Sequence, residues 1–308
     1  MTTLKEALLQ NKFALTAEIF PPKGTDLTKA IEKARQLKGI VDAINVTDNQ
    51  RAVMRMNPVV LCHKLVHEGL DAVYQMSCRD RNSMGLSSDI LAASALGIKN
   101  ILAVTGDYPV RDGRVLAKPV FELDSVQLVA LIKKLESGSD LNGSKLESSP
   151  AFCVGAVVNP NSEQLDLQIM KLRKKIDAGA EFIQTQVVFD VDQYKKFRDK
   201  LGNVKAKILL GIFPLKSHNA AVFMNEKVPG VKVGEKVLGR MEREKAPRLA
   251  DASTSSAQAA RSEHAAAGEG IRIAVETIKE LKPYCDGVHF MTMNDADIVK
   301  TIVEQLKS

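Results

Sequence analysis

Tryptophan is absent from this 308-residue chain, and aromatic residues together make up only 5%. A surface that stacks nucleic-acid bases needs exposed rings, so the net charge of +6 has to be read without them. The basic residues are spread among acidic ones along helical stretches such as EKARQLKG and KLRKKIDAG. That pattern describes solvated helix faces, and no nucleic-acid partner is expected. A modest positive excess does suit an anionic small ligand. Cysteine is also scarce. Cys62, Cys78, Cys153 and Cys285 form no close CxxC pair, which leaves a disulfide framework or a structural zinc site without support and favours reduced thiols. There is no run of eighteen apolar residues, so no membrane span is expected. The opening MTTLKEALLQNKFALTAEIF carries Lys5, Glu6 and Lys12 and lacks the pattern of a signal peptide. A cytoplasmic location is therefore expected.

Histidines number five: His63, His67, His218, His264 and His289. His63 and His67 lie four apart and would share a helix face. Lys64 stands where the glutamate of HExxH belongs and no third ligand is near, so the pair reads as helix surface and no metal is expected.

What the chain does have is alternation. Hydrophobic residues make up 45% and charged residues 26%, the composition of a globular protein. Apolar strand-like runs fall at 13–20, 42–47, 71–78, 99–105, 151–159, 181–189, 205–213 and 286–294, each followed by helical sequence. Strands alternating with helices imply right-handed parallel βαβ units, and eight such units close an α/β barrel. The expected fold is a single-domain (β/α)8 TIM barrel over residues 1–308. A doubly wound open sheet is disfavoured because no strand leads into a GxGxxG turn. Two stretches interrupt the pattern. Residues 137–150 are Ser/Gly-rich and read as a surface loop; residues 246–270 are Ala/Ser-rich and read as a mobile insertion or poorly packed helix.

In such a barrel chemistry gathers at the C-terminal strand ends. Those ends carry Glu18, then Thr47-Asp48-Asn49, then Gln75 through Arg81, then Thr105-Gly106-Asp107, then Gln184 and Gln186. Glu18, inside LTAEIFPP, would be desolvated, which raises a carboxyl pKa and suits a general acid; the alternative is a structural glutamate paired with a cation. Asp107 in TGDYP is a site carboxylate or a turn aspartate. Gln184 and Gln186 share a strand face, as ring-recognising amides or satisfied barrel-core amides. Arg79 and Arg81 hold a phosphate or form a rim salt-bridge network around Asp80, the latter being favoured.

Five blocks, AEIFPPKG at 17–24, AVTGDYP at 103–109, KLRKKIDAGAEFIQTQVVFD at 171–190, GIFP at 211–214 and VHFMTMN at 288–294, resemble the methylenetetrahydrofolate reductases in order and spacing. NVTDNQRAVMRMNP and YQMSCRDRN resemble the branch found in acetogens and related methyl-transfer specialists. The resemblance implies a flavin-dependent barrel that reduces 5,10-methylenetetrahydrofolate to 5-methyltetrahydrofolate. It implies Glu18 as general acid, Asp107 as the aspartate near flavin and folate, and Gln186, Gln184 and Phe213 in the substrate site. Thr47, Asn49, Gln75, Ser77, Cys78, Arg79, Thr105, Gly106, Asp107 and Lys175 would bind the cofactor. Gln75 stands where many relatives have His, and Thr105 where many have Arg. FAD is the implied cofactor, with FMN as the alternative. The electron donor would be NAD(P)H or a redox partner subunit. A homo-oligomer or a complex with an accessory subunit is expected. Rival readings are a folate- or corrinoid-dependent methyltransferase barrel and a non-catalytic accessory subunit.

Overall fold

The computed structural model describes residues 3–111, 114–115, 117–228, 230–243 and 256–307. Eight parallel strands form a closed barrel: β1 (Ala14–Ile19), β2 (Ala43–Val46), β3 (Ala72–Ser77), β4 (Asn100–Val104), β5 (Cys153–Val158), β6 (Phe182–Val187), β7 (Lys207–Ile212) and β8 (Gly287–Phe290). Closure comes from β1, which pairs with β2 on one side and β8 on the other. The expected fold is the one observed. The helices are α1 (Leu4–Leu9), α2 (Thr28–Gln36), α3 (Pro58–His67), α4 (Ser83–Ala95), α5 (Ser125–Glu136), α6 (Leu165–Asp177), α7 (Val191–Leu201), α8 (His218–Lys227), α9 (Glu235–Arg243), α10 (Ser256–Leu281) and α11 (Ala296–Lys307).

Several helices that follow strands start from side-chain caps. Asn57 accepts from Val59 N–H with Pro58 in the first turn, Asn82 accepts from Gly85 N–H, and Asp124 forms a capping box with Gln127. Each satisfies an orphan N–H and fixes where the chain turns back from the rim. On the strands, one alternation phase (Ile44, Ile101, Ala103, Ile183, Ile208, Leu210, Val288) joins the main core beneath the helices. The opposite phase fills the barrel interior. Its lowest layer is Ala14, Ala43, Val73, Leu102, Cys153, Phe182 and Leu209, and these pack against Leu4, Ala7 and Leu8 of α1. Helix α1 therefore stoppers the N-terminal end of the barrel. It has a Thr3–Glu6 capping box, and Leu4 N–H donates to Asp71 at 2.7 Å. At six residues it is too short for periodicity to reveal.

The 137–150 stretch is a loop between α5 and β5, with Asp140 accepting from the N–H groups of Asn142 and Ser144. Of the 246–270 stretch, 246–255 lie outside the described residues. From Ser256 the chain is helical, and the end of the stretch packs against its neighbours. Glu269, 8% exposed, pairs with Arg240 and Arg272, and Gly270 lies against the Leu215 carbonyl so closely that a Cβ would stand 1.7 Å from its oxygen. Among the described residues the crossover from β7 to β8 holds the α-helices α8, α9 and α10. A short antiparallel hairpin, Val110–Arg111 with Arg114–Val115, decorates the β4–α5 connection. Among the described residues no helix is long and apolar enough to cross a membrane.

Candidate active site at the barrel mouth

Strand register sets the site. Thr16 on β1 lies beside His289 on β8, and Glu18 lies beside Asn45 on β2. Thr16, Glu18, Asn45, Gln184 and His289 are all buried. Glu18 Oε1 accepts from Gln75 Nε2 at 3.2 Å and lies 3.4 Å from His289 Nε2. His289 Nδ1 in turn sits 2.9 Å from Thr16 Oγ1. Glu18 Oε2 and Thr47 Oγ1 are buried without a hydrogen-bond partner among the described residues. Asn45 and Gln184 bond each other reciprocally across the interior, at 3.0 and 3.2 Å. Gln184 is thereby bonded as an amide of the barrel interior. Gln186 is half-buried two residues further on, its Oε1 accepting from Val187 N–H at 3.0 Å. A register shift between Gln184 and Val187 separates the two, as a bulge does when it re-aims a side chain. Phe213 packs beside the cluster of Leu215, Val231 and Met241.

The rim around this interior is a network of ions. Asp48 accepts from Ser77 N–H at 2.9 Å, from Ser77 Oγ at 3.0 Å and from the Arg81 guanidinium. Arg81 also reaches Asp89 at 3.3 Å. Arg79, 1% exposed, donates to Asp80, to the Asn49 carbonyl at 3.2 Å and to the Asp107 carbonyl at 3.4 Å. Burial works against ionisation of Asp80, yet the Arg79 guanidinium holds its carboxyl below the usual carboxylate range. Both arginines are engaged in ion pairs at the rim. Gly106 has φ of +94°, and a Cβ there would meet Arg79 Cβ at 3.0 Å and Ser77 Cβ at 3.2 Å, so the Thr105-Gly106-Asp107 turn needs glycine. Asp107 is exposed, and its carboxylate accepts from Arg51 N–H at 3.2 Å. Asn49, Arg51 and Ala52 all have positive φ, and Arg51 reaches over the Phe223 ring of α8 at 5.3 Å.

Besides Asn49, Arg79, Gly106 and Asp107 of the rim, the expected cofactor residues divide into two groups. Thr47, Gln75 and Ser77 take the inward phase of their strands, although Gln75 is engaged with Glu18 and Ser77 with Asp48. Cys78, Thr105 and Lys175 lie on the helix-facing side of the wall. Cys78 belongs to the outer core, its thiol pushed up to about 12 by burial. Thr105 exchanges hydrogen bonds with Ser125 at the start of α5. Lys175 donates to the Val157 carbonyl at 2.8 Å, and burial pushes its ammonium down to about 8 from an ordinary 10.5. Between those values the unfolded chain holds a proton that the folded chain does not, so this lysine makes stability rise with pH. Lys175→Met should remove that rise, so that thermal melts at pH 8 and pH 10 show the variant gaining on the parent at the lower pH.

His63 and His67 meet edge to face on α3, His63 Nδ1 lying 3.3 Å from the Leu96 carbonyl. Among the described residues no group of three or more His, Cys, Asp or Glu could hold a metal. Sequence reasoning missed Thr16, Asn45, Arg51 and His289. The inward phase of β8 carried the one available signal, since a histidine inside an otherwise apolar strand of a barrel must meet a polar neighbour.

Comparison with known proteins bears on the family and the fold. The family model for methylenetetrahydrofolate reductase matches residues 3–307. The chain is 27% identical over 235 residues to the 5,10-methylenetetrahydrofolate reductase of Pectobacterium carotovorum, covering 72% of each chain. It is 25% identical over 308 residues to the enzyme of the same name from Buchnera aphidicola of Acyrthosiphon pisum, covering 96% of this chain and 92% of the relative. A Clostridium thermocellum protein that binds two copies of 5-methyl-5,6,7,8-tetrahydrofolic acid shares the fold at TM-score 0.65 and 13% identity, with 99% of each chain covered. The chain belongs to the methylenetetrahydrofolate reductase family and is an oxidoreductase.

Proposed function

We propose that the chain reduces 5,10-methylenetetrahydrofolate to 5-methyltetrahydrofolate at the barrel mouth, with a flavin bound there. One observation carries this reading. Glu18 Oε2 and Thr47 Oγ1, on neighbouring strands, are buried polar atoms with no partner among the described residues, whereas buried polar groups are ordinarily bonded. A polar ligand at the mouth supplies what they lack. Thr47 fits a ring-contacting hydroxyl, and Glu18 fits a proton donor with one oxygen anchored and the other turned to substrate.

A bound flavin supplies the hydride. The chain's own groups do the rest. Glu18 delivers a proton to a folate ring nitrogen, opening the five-membered ring to an iminium ion. The Asp107 carboxylate favours that cation electrostatically. Gln186 pairs with the edge of the pterin. Gln186→Ala should therefore weaken folate binding more than flavin binding, as read by titrating each ligand separately. Lost flavin with folate affinity retained would move this residue to the cofactor site.

FAD is the proposed cofactor and FMN the alternative, because the cations nearest a phosphate tail are largely committed. Arg79 and Arg81 are tied to Asp80, Asp48 and Asp89. Lys175 lies on the helix-facing side, its ammonium donating to the Val157 carbonyl. Chromatography of heat-released cofactor should give FAD. FMN alone would overturn that choice, and a colourless protein that takes up neither flavin would overturn the reductase reading. The donor is NAD(P)H or a redox partner subunit, and anaerobic reduction of the bound flavin by each candidate in turn distinguishes them.

A further inference from the structure

The cations around the doorway differ in how they are held. Arg79 and Arg81 are engaged with Asp80, Asp48 and Asp89. Lys216 pairs with Asp295 at 2.7 Å, and Arg55 donates to the Pro21 carbonyl at 2.9 Å. Arg51 is different. The residue is exposed, and among the described residues its guanidinium has no carboxylate partner. It rests over the Phe223 ring, 5.3 Å from the centroid, and that residue is itself 43% exposed. A cation on an exposed ring is held weakly, and a carboxylate or phosphate that offers a bidentate contact outcompetes the ring.

The backbone beneath Arg51 is fixed. The link from β2 to α3 carries Asn49, Arg51 and Ala52 in the left-handed region, at φ of +45°, +56° and +54°. Asparagine tolerates this region; arginine and alanine adopt it only where their surroundings impose it. The surroundings here are residues of the rim. Arg51 N–H donates to Asp107 Oδ2 at 3.2 Å, the Asn49 carbonyl accepts from Arg79 at 3.2 Å, and Asn49 Oδ1 accepts from Arg55 N–H at 2.8 Å. Met56 N–H donates to the Pro22 carbonyl at 2.9 Å, which ties the link to the chain after β1. The base of the side chain is thus pinned between β4 and α8 while its charged end is free to swing.

The doorway has a use for such a cation. The Asp107 carboxylate beside it suits a cationic intermediate and repels an anionic tail. A planar ring that reaches Glu18 and Thr47 must leave its tail in the doorway, because α1 fills the opposite end of the interior. Both proposed visitors carry such a tail: folate ends in glutamate carboxylates, and a nicotinamide dinucleotide carries phosphates. We infer that Arg51 is a specificity-determining residue, its guanidinium leaving Phe223 to pair with the anionic tail of the ligand whose ring occupies the mouth. This inference rests on the reading of the mouth as the site of methylenetetrahydrofolate reduction.

The test is stopped flow on the flavin-loaded enzyme, parent against Arg51→Gln, with each half-reaction followed over a range of ligand concentrations. One arm compares methylenetetrahydrofolate with its glutamate diamide, which carries no carboxylate. The other compares NADH and NADPH with dithionite, which has no tail. Arg51→Gln should raise the apparent Kd of a tailed ligand about 10-fold, the scale of a lost charge-assisted hydrogen bond, and spare the limiting rate. The diamide and dithionite should react alike with parent and variant. Arg51→Lys should recover part of the affinity, and added salt should shrink the gap between parent and Arg51→Gln. A loss confined to the folate arm assigns the glutamate carboxylates as the occupant, one confined to the nicotinamide arm assigns the phosphates, and a loss in both means that the two tails share Arg51 in turn. An unchanged Kd in both arms, an equal loss with the diamide, a slower reaction with dithionite, or flavin lost from Arg51→Gln would overturn the inference. A parent that binds methylenetetrahydrofolate through Arg51 in a titration yet leaves it unreduced would overturn the reductase reading alone.

Discussion

Glu18→Gln is expected to lower the folate half-reaction by about two orders of magnitude or more, the usual consequence of removing a general acid, while flavin content and reduction by the donor stay near the parent values. The amide keeps the shape of the carboxyl and can still meet Gln75 and His289, so the barrel should fold as before. What it lacks is a proton to give. Stopped-flow measurement of both half-reactions separates the chemistry from cofactor binding. A folate rate equal to the parent's would return Glu18 to its alternative role as a structural carboxylate inside the barrel.

The second large effect is one of stability. Gly270→Ala should destabilise the fold by about 3 kcal/mol or more, the upper range for forcing atoms into filled space. The added Cβ would stand 1.7 Å from the Leu215 carbonyl oxygen, and backbone cannot step aside as a side-chain end can. For a domain of this size the melting temperature should fall by roughly 6–12 °C. Gly268, two residues earlier in α10, has nothing within 4 Å of its ideal Cβ. Gly268→Ala should raise stability by up to about 1 kcal/mol through helix propensity alone. Opposite signs in one helix would separate contact from propensity in a pair of thermal melts; a loss shared by both variants would remove the close approach as the cause.

The barrel was legible in the sequence because its signals are local and repeated. Each strand is a compact apolar run, and each following helix announces its start with a cap such as Asn57-Pro58 or Asp124. Helix α1 was illegible because its six residues span under two turns, and it became a helix by covering the barrel floor. The polar strand ends could likewise be read, but not which way they point. Alternation sends Gln75 inward and Thr105 outward, and one residue of uncertainty in a strand boundary reverses that assignment. The Asn45–Gln184 pair joins residues 139 apart in the chain, and no local pattern announces such a bond. The packing at 267–270 was hidden for a related reason, since small residues look featureless in sequence and are also what two backbones in contact require.

The stopper at the barrel's N-terminal end has a kinetic consequence. With Leu4, Ala7 and Leu8 sealed against the lowest layer, the interior is a cul-de-sac. Whatever reaches Glu18 must enter and leave on the side where Asp107, Arg51 and Phe223 stand guard. A doorway shared by two bulky planar visitors cannot pass both at once, and among the described residues α1 closes the opposite end. Traffic has to take turns. Under the proposed reading, the donor's departure then precedes the folate's arrival, and either visitor in excess obstructs the other. Initial rates at several fixed donor concentrations should accordingly trace parallel lines in double-reciprocal form.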